Sequence, residues 1–141
     1  MYRLTLEQAD RLIEAAAAEA AQHGMKPLTF GVFDPTGAMI AVERQDGAPM
    51  IGARVVAGKA GGALALGVSS RAVGEAHLGR PHVLGAIGSL TNSGMVPAAG
   101  ALLIKDGNGT IIGAMAASGD TSDNDEVAVA GAIKAVGLQA A

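Results

Sequence analysis

The feature that most constrains the fold is a tight turn, Asp106-Gly107-Asn108-Gly109, between two short apolar runs. The runs cover residues 101–105 and 110–117, and each has the length and composition of a β-strand. Asp-Gly and Asn-Gly pairs readily adopt the positive φ angles that tight hairpin turns need. The segment therefore predicts two adjacent antiparallel strands.

A second hairpin is predicted from residues 28–34 and 38–45 around the turn Pro35-Thr36-Gly37. Helical periodicity surrounds both hairpins. The first predicted helix starts in a Thr5–Gln8 capping box and ends at Gly24, and the second runs from Met50 to about Leu66. Two short helical pieces follow at 70–77 and 82–90. The last helix runs from Thr121 or Ser122 to Leu138. This order predicts a single α/β (α+β) domain over residues 1–141, with helices packed on an antiparallel sheet.

The composition excludes several classes of function. Ten basic and 13 acidic side chains give a net charge of -3, which argues against nucleic acid, because phosphate contacts need clustered lysine and arginine. Cysteine is absent, and with it disulfides, thiolate metal sites and cysteine nucleophiles. No stretch reaches membrane-spanning length and charges interrupt the first helix, so we expect no membrane partner and a cytoplasmic location.

The balance of apolar and charged residues predicts a homo-oligomer. Apolar residues make up 50% of the chain and charged residues only 16%, below the usual share of about 25%. A subunit with so little polar surface is expected to bury part of its exterior against copies of itself.

Charged residues in apolar surroundings are the first candidates for a site. Arg44 and Asp46 lie at the end of an apolar strand, where Arg44 would pair with an anion. The simpler interpretation is a solvated hairpin end in which Asp46 caps the turn. Lys59 lies in an apolar, glycine-rich helix. It would bind an anion or transfer a proton, or else pair with one of the acidic residues. The helix's glycines would permit another helix to approach closely.

Two histidines, His77 and His82, flank a Gly-Arg-Pro break. Their spacing does not place both on one helix face and no third ligand is near, so no metal-ion site is predicted. A single histidine as an axial haem ligand or a general base is favoured over such a site. Asp123, Asp125 and Glu126 suit the first turn of a helix, and we interpret them chiefly as helix-start residues.

Three segments carry a resemblance to a known family. They are Asp34-Pro35-Thr36-Gly37-Ala38 leading to Glu43-Arg44-Gln45-Asp46-Gly47-Ala48, then Lys59-Ala60, and then 113–121 followed by Asp125-Glu126. Together, in order and spacing, they resemble the GlcG/HbpS-like proteins, also called the haem-degrading domain family and related to the C-terminal domain of PduO. The chain departs from the pattern at Asp120, where the family usually has glycine, and at 98–101, where its proline is missing.

The resemblance implies a profilin-like antiparallel sheet of five to six strands flanked by helices, and assembly into tetramers or octamers. It also implies haem as a candidate cofactor, which the residues alone do not specify.

The functional prediction is a cytoplasmic homo-oligomer that binds a small organic ligand or a tetrapyrrole (haem or corrinoid) in a cleft between subunits. The predicted polar lining is Arg44, Asp46, Lys59, His77 and His82. The alternative is an enzyme of a catabolic or biosynthetic pathway, with proton-transfer isomerisation or lyase chemistry and Lys59 or His77 as the base. A third is a chaperone-like accessory subunit with an exposed apolar face and no pocket.

Overall fold

The computed structural model of the protein describes residues 3–141. Its elements, in chain order, are α1 (Leu6–Gln22), β1 (Thr29–Phe33), β2 (Met39–Arg44), α2 (Gly52–Leu66), α3 (Ser70–Ala76), α4 (Pro81–Gly88), β3 (Ala101–Lys105), β4 (Ile111–Ser118), α5 (Ser122–Ala135) and β5 (Gln139–Ala140). No helix in this part of the chain combines the length and apolar character needed to cross a membrane.

The sheet has five antiparallel strands in the order β2-β1-β4-β3-β5. Both predicted hairpins are present, as β1–β2 and β3–β4. The sheet joins them through β1 and β4, which pair from Thr29 opposite Ser118 to Phe33 opposite Ala114. The predicted α+β fold with an antiparallel sheet of five to six strands is therefore confirmed. The two-residue β5 was not predicted, because so short a strand has no periodicity.

Helices cover both faces of the sheet and enclose two cores. On one face, α1 and α5 pack over Phe30, Val32 and Met115. On the other, α2 packs its small residues over Phe33, Leu103, Ala114 and Ala116. All five residues of β1 are buried, as expected for a central strand covered on both faces.

The helix termini follow local rules. Thr5 and Gln8 form the predicted capping box, and Thr121, not Ser122, is the N-cap of α5. The last helix ends at Ala135 rather than Leu138, because the chain turns at Gly137 (φ +79°) to enter β5. A left-handed conformation at this position ends a helix and suits glycine.

The glycines of α2 do allow a close approach, but an irregular segment approaches, not the helix we expected. Residues 93–96 run directly over this helix, and the Val96 N–H donates to the carbonyl of Gly58 (3.2 Å). A Cβ at Gly58 would lie 2.7 Å from a methyl carbon of Val96, and one at Gly61 would overlap the Ser93 hydroxyl. The glycines therefore let the connection after α4 lie flat on α2.

Candidate functional site

The most buried charges in the described chain are Lys59 of α2 and Asp125 of α5. Their exposed fractions are 3% and 2%. The Lys59 ammonium donates to Asp125 Oδ2 (3.1 Å) and to the Ala117 carbonyl of β4 (3.1 Å). The amine passes beside Gly100, where a Cβ would lie only 2.6 Å from Nζ. Lys59 thus ties a helix on one face of the sheet to the start of a helix on the other.

Asp125 is held by two different donors. Its Oδ2 accepts from Lys59, and its Oδ1 accepts from the Asp120 N–H (3.0 Å). Burial raises the pKa of the Asp125 carboxyl above its ordinary value, and the Asp120 N–H and the Lys59 ammonium oppose that shift. Asp125 does lie in the first turn of α5, as we interpreted it, but it has a second role that this interpretation did not include. It is the interior partner of Lys59, which matches the ion-pair alternative for that lysine.

The other two acidic residues at the start of α5 also make specific contacts. Arg71 of α3 forms ion pairs with Asp123 and, at 3.1 Å, with Glu126. These contacts lie near the surface, where ion pairs contribute about 0–1 kcal/mol each. Their role here is to fix the position of α3 against α5.

Asp120, where the chain departs from the family pattern, closes the loop before α5. Its carboxylate accepts hydrogen bonds from the Lys26 N–H (2.7 Å), the Thr121 N–H (2.7 Å) and the Asn124 amide (2.8 Å). These donors, with the Lys26 N–H the largest influence, lower the pKa of Asp120 to about 2. The Asp120 carboxylate is therefore occupied by contacts within the chain.

Arg44 and Asp46 lie at the end of the β1–β2 hairpin. Arg44 Nη1 donates to the carbonyl of Ala48 (3.0 Å), so the guanidinium holds its own turn together. Gln45 Oε1 accepts from the Leu28 N–H (2.8 Å) and Gly47 takes φ +84°. Asp46 is exposed. The geometry is that of a closed, solvated hairpin end.

His77 and His82 lie on either side of the break between α3 and α4. His77 is the C-cap of α3, and its Nδ1 lies 2.7 Å from the Val73 carbonyl oxygen. His82 is exposed in the first turn of α4. Residues 3–141 contain no group of three or more histidine or acidic side chains able to hold a metal ion.

The structure does not bring the five predicted residues together. Within one subunit, Lys59 is interior, Arg44 and Asp46 lie at one hairpin end, and His77 and His82 lie on either side of the break between α3 and α4. None of the five lines the cleft of about 570 Å³ that the β1–β2 turn forms with α2 and residues 90–93. Sequence reasoning missed this cleft because its walls are distant in sequence. The sequence signals that could have indicated two of its walls are the turn-forming residues at 35–37 and 92–94.

Comparison with known proteins identifies the family. The family model described as haem degrading protein HbpS-like matches residues 4–134. The chain belongs to the HbpS-like family. No curated protein sequence matches it significantly.

Several solved structures share this HbpS-like fold. A PduOC–haem complex is 21% identical, with a TM-score of 0.84 and coverage of 98% of each chain. HbpS is 20% identical, with a TM-score of 0.83 over 97% of this chain and 92% of that one. Protein ORFY of Klebsiella pneumoniae is 24% identical, with a TM-score of 0.82 over 95% and 91%. At such identities, the likeness establishes the fold.

Proposed function

We propose that the chain is a cytoplasmic homo-oligomer that binds haem or a related tetrapyrrole, with His77 as the axial ligand. The observation that carries this proposal is the 2.7 Å contact between His77 Nδ1 and the Val73 carbonyl oxygen. A carbonyl only accepts, so Nδ1 carries a proton, and the neutral ring then has its lone pair on Nε2. A histidine whose other nitrogen donates to a carbonyl is the usual arrangement of a metal-bound imidazole.

The surroundings of His77 suit a large apolar ligand. Leu78 is 78% exposed, and the next helix, α4, is apolar in sequence although none of its residues is buried. An apolar helix that is only partly covered marks a surface for a ligand or a partner. The family description and the similar PduOC–haem complex support haem as the ligand.

The same exposed residues support self-association. Large hydrophobic side chains that are at least half exposed include Leu6, Met39, Met50, Ile51, Leu78 and Leu90. Leu78 and Leu90 flank α4 on either side and are the most exposed of the set after Met50. We therefore place a subunit contact at α4, which would also enclose a tetrapyrrole between subunits.

Haemin titration followed at the Soret band tests the ligand. We expect saturable binding by the wild-type chain and at least about tenfold weaker binding by His77→Ala, because the iron loses its ligand. His23→Ala is a matched control. His23 is also a helix C-cap, with Nδ1 2.9 Å from the Glu19 carbonyl oxygen, but it lies far from α4 in sequence. This variant should bind as the wild type does.

Two outcomes would contradict this assignment. If His82→Ala abolishes the Soret shift while His77→Ala keeps it, the ligand is His82. If neither single variant nor the double variant changes binding, histidine-ligated haem is wrong for this chain.

Light scattering coupled to gel filtration tests the subunit contact. The wild type is expected to elute as a tetramer or octamer of the 13.9 kDa subunit. The double variant Leu78→Glu/Leu90→Glu should shift toward the single-subunit mass, because buried unpaired charges oppose association. Ala21→Glu, an exposed site on α1, is the control and should leave the mass unchanged. A wild type that runs as one subunit would refute the contact.

A further inference from the structure

The cleft of about 570 Å³ has the dimensions of a small-molecule site, for which volumes of roughly 300–1,000 Å³ are typical. Three segments form it: the β1–β2 turn, the C-terminal half of α2 and the loop after α4. Its lining comprises Pro35, Thr36, Gly37, Ala38, Gly61, Leu64, Ala65, Leu90, Thr91, Asn92 and Ser93. His77 and His82 are not part of it, so it is separate from the haem ligands proposed above.

The lining contains no ionisable side chain. Asp34, the acidic residue beside the turn, accepts from the Thr36 N–H (2.8 Å), the Thr36 hydroxyl (2.6 Å) and the Ala38 N–H (3.1 Å). The lining side chains offer an anion no positive charge, and the neighbouring Asp34 carboxylate repels one. The cleft therefore favours a neutral molecule over an anion.

Its polar groups match hydroxyls. The Thr36 hydroxyl donates to Asp34, and the Ser93 hydroxyl donates to the Gly94 carbonyl (3.3 Å), so both oxygens have lone pairs left to accept. The Asn92 side chain has no hydrogen-bond partner within the described chain, and its amide both donates and accepts. Leu64 supplies apolar contact for a carbon skeleton, and Leu90 adds to it from the edge of the subunit contact proposed at α4.

We propose that this cleft binds a neutral, hydroxyl-bearing small molecule of the polyol or monosaccharide class. Such a ligand donates to Thr36 and Ser93, exchanges hydrogen bonds with Asn92 and lays its C–H groups on the two leucines. The proposal does not depend on haem binding.

Amide NMR titration with glucose, myo-inositol and glycerol tests it, with glucuronate as the charged counterpart of glucose. We expect at least one neutral probe to give saturable shifts confined to the amides of 36–38, 61–65 and 90–93. Glucuronate, which differs from glucose only by a carboxylate in place of a hydroxymethyl group, should bind about fivefold more weakly than glucose or not at all.

Ala65→Leu fills the cleft from an exposed position on α2 and should weaken binding of the neutral probe about tenfold. Ala21→Leu, at a position that is also exposed, on α1, is the matched control and should have no effect. The Soret titration of Ala65→Leu should match the wild type, so the two proposals fail independently. The absence of localised shifts with all three neutral probes, or equal binding of glucuronate and glucose, would overturn the assignment.

Discussion

Replacing Lys59 with alanine is expected to lower the free energy of unfolding by about 3–5 kcal/mol, because it leaves the Asp125 carboxylate buried without its cation. Both side chains are almost fully buried, so water cannot replace the lost partner. Urea denaturation of the two chains measures the difference. Lys134→Ala, which removes an exposed lysine from α5, should change stability by no more than about 0.5 kcal/mol.

A double-mutant cycle separates the ion pair from simple loss of packing. The pair Lys59→Met/Asp125→Leu replaces both charges by apolar groups and should be more stable than either single variant, because no charge stays unpaired. A Lys59→Ala chain as stable as Lys134→Ala would contradict the structural role. If that stable variant also lost haemin binding, Lys59 would again be a candidate ligand-binding residue.

Gly119→Ala is expected to destabilise the chain by roughly 2–4 kcal/mol. Gly119 has φ +133°, a conformation that side chains rarely adopt, and an added Cβ would overlap the carbonyl oxygen of Pro27. Backbone cannot give way as a flexible side chain can, so the β4–α5 loop would have to move away from Leu28. Thermal unfolding monitored by circular dichroism measures the loss.

Gly85→Ala is the matched control for that experiment. Gly85 lies inside α4, its φ is not positive, and no atom lies within 4 Å of its Cβ position. Alanine there should leave stability unchanged or raise it by up to about 1 kcal/mol, since alanine favours helix. Equal stability of Gly119→Ala and the wild type would mean that the close approach of this loop to Pro27 is not required.

The elements were predictable because their signals are local. The Thr5–Gln8 capping box and the Asp106–Gly109 turn each lie within a few residues, and their backbone conformations follow from the residue types present. Their order along the chain was enough to predict an antiparallel sheet with helices on it. The sequence likeness to the HbpS-like family added the expectation of haem.

The candidate site could not be assembled from the same signals. A lysine in an apolar helix indicates that an acidic partner is needed, but the chain has 13 acidic residues. The actual partner, Asp125, is 66 residues away. The acidic residues at the start of α5 are equally consistent with stabilising the helix N-terminus, which depends only on the neighbouring backbone. Only the packing of both helices against β4 shows which carboxylate is interior.

The sequence by itself determined the hairpins, the helix caps and the alternation of elements, because neighbouring residues bias the backbone directly. The tertiary structure decided the partner of Lys59, the contact of Arg44 with its own turn, and the existence of the uncharged cleft. Those features depend on the distances between segments that meet only when the sheet forms and both of its faces are covered. The first hairpin shows the difference. Its turn at Pro35-Thr36-Gly37 could be predicted from the residue types, but the position of that turn as a wall of the cleft could not.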